Sequence, residues 1–130
     1  MKTSQIEHSE VYGRFSSLLR KERVAIKRDD VKTSYLGLAD GIKVIGIVGW
    51  QEIGKDHIRF KTDYIKTEYR GGGKYTELWN ARWKEVQEKY DPSVISAYCT
   101  KMSLPKYLKE GFSPQGKGKN GIVYVKLTKK

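Results

Sequence analysis

Three consecutive glycines, Gly71, Gly72 and Gly73, are the residues of this chain whose type and spacing most directly suggest chemistry. A β-prone apolar segment, residues 58–65, precedes them, and an amphipathic helical pattern follows them. Glycines at a strand-to-helix turn let several backbone amides point at one ligand, beside the positive end of a helix dipole. Arg70 adds a charge that can bind phosphate oxygens in a bidentate manner. The stretch therefore predicts a cradle for a diphosphate.

Two common phosphate-binding motifs do not fit this stretch. A P-loop needs a glycine where Glu68 stands and a serine or threonine where Tyr75 stands. A dinucleotide-binding motif that began at Gly71 would need a further glycine where Thr76 stands. A glycine-rich turn without a ligand remains open as the alternative.

The first half of the chain must position this loop. Ser4 and Glu7 fit a capping box and predict an amphipathic helix over residues 4–20. Residues 24–32 are predicted to be a short strand or a loop. Three β-prone segments joined by short turns then predict an antiparallel meander: 34–39, 43–51 and 57–65.

The second half of the chain alternates helices and strands. The predicted elements are helix 75–90, strand 94–99, helix 103–110, a flexible basic loop 113–121 and strand 122–127. Because a helix joins them, strand 94–99 should run parallel to strand 57–65. The predicted fold class is a mixed α/β sheet, in which the meander is followed by helix, parallel strand, helix and strand. We expect a single domain over residues 1–130, with a variable N-terminal part (1–32) and a core (33–130).

The composition indicates acidic partners. The chain has a net charge of +11, from 26 basic and 15 acidic residues. Residues 101–130 contain eight lysines and one glutamate, a net charge of +7. A nucleic-acid partner and a phosphorylated cofactor beside a solvated lysine surface are both compatible with this charge.

Other classes of protein are disfavoured by the composition. Cys99 is the single cysteine and is predicted to be a buried apolar residue, and with only two histidines in the chain we expect no metal site. No apolar run approaches the roughly 20 residues of a membrane span, and residues 1–10 contain no apolar core of a signal peptide. A cytoplasmic location without membrane contact is therefore the default expectation.

The glycine stretch resembles the acyl-CoA pyrophosphate loop of the GCN5-related N-acetyltransferase (GNAT) family, whose pattern is Arg/Gln-x-x-Gly-x-Gly/Ala. The lead-in Ile65-Lys66-Thr67-Glu68-Tyr69 is similar to the end of the family's preceding strand. Arg70 and Gly73 occupy motif positions, and Tyr75 stands where the family has a small residue. In one alternative, this tyrosine crowds the pyrophosphate.

A second stretch resembles the same family. The run Tyr107-Leu108-Lys109-Glu110-Gly111-Phe112 is similar to the Tyr-x-x-x-Gly-Phe ending of the family's last helix. The predicted order of elements also matches the family over residues 34–127. Thr100 departs from an asparagine that the family often has early in that helix. The N-terminal segment is short, so we expect the first strand of the family to be missing or replaced.

The resemblance implies an acyl-CoA-dependent N-acyltransferase, in which an acceptor amine attacks the thioester directly. Acetyl-CoA is the default cofactor, and another acyl-CoA is the alternative. Its pantetheine arm would lie between strands His57–Ile65 and Val94–Cys99, and an amide near Ile65 or Lys66 would polarise the thioester carbonyl. The implied cofactor-binding residues are Ile65, Lys66, Arg70, Gly71, Gly72, Gly73, Lys74 and Tyr75.

Candidate catalytic residues follow from the same resemblance. Tyr107 occupies the position of the family's general acid, which protonates the leaving thiolate. Asp63 is a candidate base because it lies two residues before Ile65, on the same face of the strand. Two other candidates for the base lie at the neighbouring turn: Glu52 and His57.

The acceptor is not apparent from the sequence, and three functions remain open. The first is acylation of a protein or small-molecule amine. The second is modification of a nucleic-acid base, similar to that by phage DNA-modifying enzymes with the GNAT fold. The third is a basic module without catalytic activity that binds nucleic acid or protein. The oligomeric state is also open, with a dimer as one option.

Overall fold

The computed structural model describes residues 1–30 and 32–129. Three helices and seven strands lie within these residues. In chain order they are β1 (Lys2–Gln5), α1 (His8–Lys21), β2 (Ser34–Asp40), β3 (Lys43–Gly54), β4 (His57–Ile65), α2 (Lys74–Lys89), β5 (Val94–Cys99), α3 (Leu104–Lys109), β6 (Ser113–Lys117) and β7 (Val123–Thr128). Short 3₁₀ turns precede α2 and β7, at Thr67–Tyr69 and Lys119–Gly121.

All seven strands form one sheet, in the order β1-β2-β3-β4-β5-β7-β6. Strands β1 to β4 pair in antiparallel fashion with their neighbours. β4 and β5, which α2 connects, pair in parallel. β7 pairs antiparallel with both β5 and β6. The predicted fold class, a mixed α/β sheet with one parallel pair, is confirmed.

The prediction of a helix over residues 4–20 is wrong at its start. Lys2–Gln5 form β1, in which Ser4 lies opposite Gly37, and α1 begins only at His8. In β1 the backbone groups pair with the outer edge of β2, which a helical turn at these residues would leave open. A strand is therefore present at the N-terminus, where the resemblance suggested that one was missing or replaced.

Two predicted connections have different outcomes. Residues 24–30 form a loop, one of the two options left open for residues 24–32, and Val31 lies outside the described residues. The predicted loop 113–121 is wrong in its first half, where Ser113–Lys117 form β6. All five side chains of β6 are exposed and none is large and apolar, so the backbone pairing with β7 leaves no hydrophobic signal in the sequence.

Helices cover the sheet on both faces. On one face, α2 and α3 bury a large core that includes Trp79 of α2 and Tyr107 of α3. Cys99 belongs to this core, and its burial raises the pKa of the thiol to about 12. α1 covers part of the opposite face through a smaller cluster. Within residues 1–30 and 32–129, no helix has both the length and the apolar character that a membrane crossing requires.

Candidate functional site

The carboxyl-terminal ends of the two central strands separate. β4 and β5 pair in parallel as far as Phe60 and Ala97. Beyond that pair β4 continues to Ile65 and β5 continues to Cys99 without further pairing between them. An opening at the carboxyl ends of strands is where α/β sheets generally bind ligands. The opening lies between the two strands that the resemblance indicated.

A bulge in β4 directs an acidic side chain into this region. The register of β4 on β3 shifts by one residue around Thr62, whose φ is +61°. An inserted residue reverses the face to which the following side chains point. Phe60 before the bulge and Ile65 after it therefore belong to the same core under α2. Asp63 faces α2 together with Ile65, as the alternation of the strand predicted.

Asp63 forms a buried ion pair with Arg82 of α2. Nη1 and Nη2 of Arg82 donate to Oδ1 and Oδ2 of Asp63 at 2.6 and 2.9 Å. The side chains of Arg82 and Asp63 are 0% and 4% exposed. Burial by itself lowers the pKa of Arg82, but the Asp63 carboxylate outweighs this effect and raises the pKa above its ordinary value. The guanidinium also lies over Phe60, with Cζ 3.9 Å from the ring centroid, and donates to the carbonyl of Gly49 at 3.1 Å.

Two tyrosines complete the hydrogen-bond network of Asp63. The Tyr107 hydroxyl donates to Oδ2 of Asp63 at 2.8 Å, and the Tyr75 hydroxyl donates to the same oxygen. Burial, with a further contribution from the charge of Asp63, raises the pKa of both tyrosines well above 10. Both hydroxyls therefore carry their proton at neutral pH. The network links β4, α2 and α3 at the opening.

The glycine loop has a backbone that other residues adopt only with strain. Gly71, Gly72 and Gly73 have φ values of +92°, +65° and +80°. L-residues rarely adopt this region, so three successive positions require glycine. A Cβ atom added to Gly71 or Gly73 would have no protein atom within 4 Å. The space in front of these two residues is therefore free of protein.

Unpaired amides follow the loop directly. The first helical hydrogen bond of α2 runs from the N–H of Glu77 to the carbonyl of Gly73, and Gly73 offers no side-chain cap. The N–H groups of residues 74–76 consequently have no acceptor within the helix. The amine of Lys74 lies 3.2 Å from the position that a Cβ of Gly72 would occupy. This arrangement of donors and positive charge suits a phosphate group.

The side chain of Arg70 is engaged beside the loop. Its Nε donates to the carbonyl of Ile65 at 2.8 Å, and its Nη2 forms an ion pair with Glu22. The guanidinium also lies over the ring of Tyr64, 5.3 Å from its centroid. A direct bond from Arg70 to a phosphate would require it to leave Glu22. In the observed arrangement Arg70 connects the loop to β4 and to the end of α1.

Two cavities meet at Asp63. A cavity of about 210 Å³ has Ile65, Gly71 and Tyr75 among its lining residues. A second cavity of about 290 Å³ includes Tyr107 in its wall. Asp63 lines both. One cavity lies beside the glycine loop and the other beside Tyr107.

Only one of the two predicted carbonyl-polarising amides is available. The N–H of Lys66 donates to the carbonyl of Ile45 at 2.9 Å, so of the two alternatives only the amide of Ile65 remains available. In an antiparallel ladder, hydrogen-bonded and non-bonded pairs alternate. Ile65, which pairs with Gly46, therefore has its N–H directed away from β3 and toward the opening.

Two candidate bases lie away from Tyr107. Glu52 is exposed near the end of β3, and His57 begins β4, at the strand end opposite to the opening. Neither residue lines the cavities that meet at Asp63. His57 instead forms a hydrogen bond with the hydroxyl of Ser96 at 2.8 Å. The structure brings Asp63, Tyr75 and Tyr107 together and leaves Glu52 and His57 outside.

We expect His57 to make the stability of the protein dependent on pH. Burial, followed by the charges of Arg59 and Lys126, lowers the pKa of His57 below 6.5. The unfolded chain therefore binds a proton more readily, and stability should be full above pH 6.5 and decrease as the pH falls below it. Urea unfolding of wild type and His57→Gln from about pH 7.5 to pH 5 measures this effect. An equal decrease in both proteins would contradict the role of His57.

Sequence reasoning missed Arg82. The amphipathic pattern that predicts helix 75–90 rests on its apolar residues, and the charged residue on the same face was not considered. Arg82 lies seven residues after Tyr75 and four before Val86, which places it on the apolar stripe. A charge on such a stripe indicates a buried ion pair. This signal could have found Arg82, and Asp63 could have been named as its partner.

The sequence has no match among protein-family profiles or curated proteins. Solved structures do resemble its fold. A GNAT-family acetyltransferase of Staphylococcus aureus has a TM-score of 0.76 at 13% identity, covering 99% of this chain and 100% of that one. The ribosomal-protein-S5-alanine acetyltransferase of Vibrio fischeri has a TM-score of 0.72 at 15% identity, covering 98% and 92%. The PaiA N-acetyltransferase of Thermoplasma acidophilum, solved in complex with coenzyme A, has a TM-score of 0.66 at 12% identity, covering 98% and 99%. The chain therefore has the fold of the GCN5-related N-acetyltransferases.

Proposed function

We propose that this protein is an acyl-CoA-dependent N-acyltransferase, with acetyl-CoA as its default cofactor. The observation that carries the proposal is the pair of cavities that share Asp63 where β4 and β5 separate, one beside the open glycine loop and one beside Tyr107. Three structures with the same fold are named as acetyltransferases, and one of them is a coenzyme A complex. We also propose that residues 1–130 form a single domain.

The residues of the loop fit a pyrophosphate. The amides at the start of α2 are free of helical acceptors, Lys74 lies beside the loop, and the space in front of Gly71 and Gly73 is open. The Tyr75 hydroxyl is bonded to Asp63, and the side chain lines the cavity that Gly71 also lines. We propose that this bond holds the ring of Tyr75 clear of the pyrophosphate. When bound, acyl-CoA would supply an acyl group activated as a thioester.

The remaining roles belong to residues at the opening. The N–H of Ile65, directed toward the opening, would donate to the carbonyl of the acyl group. Tyr107, protonated at neutral pH, would hold the proton that the leaving thiolate requires. Both carboxylate oxygens of Asp63 accept bonds from Arg82, so we assign Asp63 to positioning Tyr107 instead of to the general base. Glu52 and His57 are not assigned to the base either, because they lie outside the opening.

Replacing Tyr107 by phenylalanine is expected to lower kcat by about 100-fold or more, because the proton donor is lost. Affinity for acetyl-CoA should change by no more than about twofold, since the hydroxyl acts on the leaving group. Release of free thiol, with polyamines, lysine peptides and oligonucleotides as acceptors, measures turnover. Tyr75→Phe removes the other hydroxyl bonded to Oδ2 of Asp63 and should cost much less in kcat. Equal losses in both variants would indicate a structural role for Tyr107.

The direct test of the proposal is calorimetric titration of the protein with acetyl-CoA and with CoA. Micromolar affinity is the expected result. Absence of binding at millimolar cofactor would overturn the proposal and would favour a basic binding module without catalytic activity.

A further inference from the structure

One face of the sheet is left without a helix along three strands. The cluster under α1 contains one buried residue from each of three strands: Tyr35 of β2, Ile47 of β3 and Tyr64 of β4. α2 and α3 pack on the other face. Among the described residues, the cluster under α1 has no member from β5 or β7. The α1-side face of β5, of β7 and of the first part of β4 (residues 57–61) is therefore not covered by a helix, and we call it the open face.

The open face carries a pair of aromatic rings. Tyr98 of β5 lies directly opposite Tyr124 of β7, and their ring centroids are 4.9 Å apart at an interplanar angle of 37°. Tyr98 is 58% exposed, although it lies in a central strand. The guanidinium of Arg59 lies over Tyr98, with Cζ 4.9 Å from the ring centroid. A large ring exposed in mid-sheet and backed by a cation provides a platform for a flat ligand.

The charge of the open face is positive. Lys126 lies two residues from Tyr124 on the same side of β7, opposite Ser96 of β5. Ser96 in turn lies opposite Arg59 of β4. Among the described residues, neither Arg59 nor Lys126 forms a salt bridge, and the Nε of Arg59 is buried without a hydrogen-bond acceptor. The strand residues on this face include no acidic residue: His57, Arg59, Lys61, Val94, Ser96, Tyr98, Tyr124, Lys126 and Thr128. Asp30, in the loop after α1, pairs with Lys61 at 3.2 Å, so the positive charge available on this face comes from Arg59 and Lys126.

We propose that the open face binds single-stranded nucleic acid. Such a ligand combines flat bases, which stack on exposed aromatic side chains, with phosphates that arginine and lysine neutralise. Bases within a duplex are stacked on one another and are not available to Tyr98. An acidic peptide supplies the charge but not the flat rings. The net charge of +11 favours the same class of partner.

The position of the open face connects it to the opening between the strands. Arg59 and Tyr98 line the cavity of about 290 Å³ that also includes Tyr107. A nucleic-acid chain whose base stacks on Tyr98 would therefore lie at the entrance to this cavity. Binding of nucleic acid at the open face does not require the proposed acyl transfer.

The test is fluorescence anisotropy with labelled single strands of twelve thymidylates or twelve uridylates, at several salt concentrations. Tyr98→Ala is expected to weaken binding by about tenfold, the value of one stacked base, and Tyr98→Phe by no more than about twofold. Arg59→Ala should lower the slope of log affinity against log salt by about one. The control is Arg14→Ala, which removes an exposed α1 charge paired with Glu10 and should change affinity by no more than about twofold.

The outcomes separate this binding from general attraction to anions. Tighter binding of either single strand than of a duplex of the same sequence supports the proposal, and a preference between them identifies DNA or RNA. Equal effects of Arg14→Ala and Arg59→Ala would overturn it, as would an unchanged affinity in Tyr98→Ala. Competition by polyglutamate as strong as by the oligonucleotide would also overturn it. Circular dichroism and acetyl-CoA titration of each variant show whether the fold and the cofactor site are intact.

Discussion

Replacing Arg82 by methionine is expected to lower the free energy of unfolding by about 3–5 kcal/mol. The reason is that Asp63 would remain as a buried carboxylate without a cation. Domains of this size are stable by roughly 5–15 kcal/mol, so this loss is a large fraction of the total stability. Denaturation by urea, followed by tryptophan fluorescence, measures the change.

Two comparisons make the effect of Arg82 specific. Arg14→Met removes an exposed ion pair with Glu10 and should change stability by no more than about 0.5 kcal/mol. The double variant Asp63→Leu with Arg82→Met leaves no unpaired buried charge and should be more stable than Arg82→Met alone. A loss below about 1 kcal/mol in Arg82→Met would contradict the buried ion pair.

Replacing Gly73 by valine is expected to weaken acetyl-CoA binding by about 10- to 100-fold, the equivalent of one hydrogen bond to a charged group. The φ of Gly73 is +80°, which a β-branched residue does not adopt without strain. The added methyl groups would also enter the open space in front of the amides at the start of α2. Calorimetric titration measures the loss of affinity.

Gly41 offers a matched control for Gly73. Its φ is +63°, and a Cβ there would also have no protein atom within 4 Å. It lies in the turn between β2 and β3 and lines neither cavity at Asp63. Gly41→Val should lower stability to a similar degree while preserving the affinity for acetyl-CoA. If both variants lost affinity equally, the effect would arise from destabilisation of the fold, and the phosphate cradle would lose its support.

Local patterns in the sequence predict most of the fold. Strand β5 occupies the predicted residues 94–99, and β4 and α2 differ from prediction by at most one residue at either end. These elements have strong apolar periodicity and clear turn residues at their ends. The glycine loop follows from the same information, because three positive φ values in succession require glycine.

Local sequence patterns do not predict the edge strands. β1 and β6 are short and largely exposed, and their residues carry no apolar alternation. Such strands are stabilised by backbone hydrogen bonds to a neighbour that is distant in sequence. Ser4 and Glu7 formed a valid capping signal, yet pairing with β2 outweighed it.

The amino-acid sequence is sufficient to predict a mixed α/β sheet and a glycine loop with positive φ values, and its resemblance to the GNAT family adds Tyr107 as a candidate acid, since each depends on residues close together in the chain. The partners of Asp63 depend on contacts between distant segments. The bulge at Thr62 turns Asp63 toward α2, where Arg82 and the two tyrosines are bonded to it. Burial then requires the carboxylate to be paired, because an isolated charge inside a protein is too costly. Long-range packing therefore makes Asp63 an anchor for Tyr107, a role that the spacing of residues along the chain does not reveal.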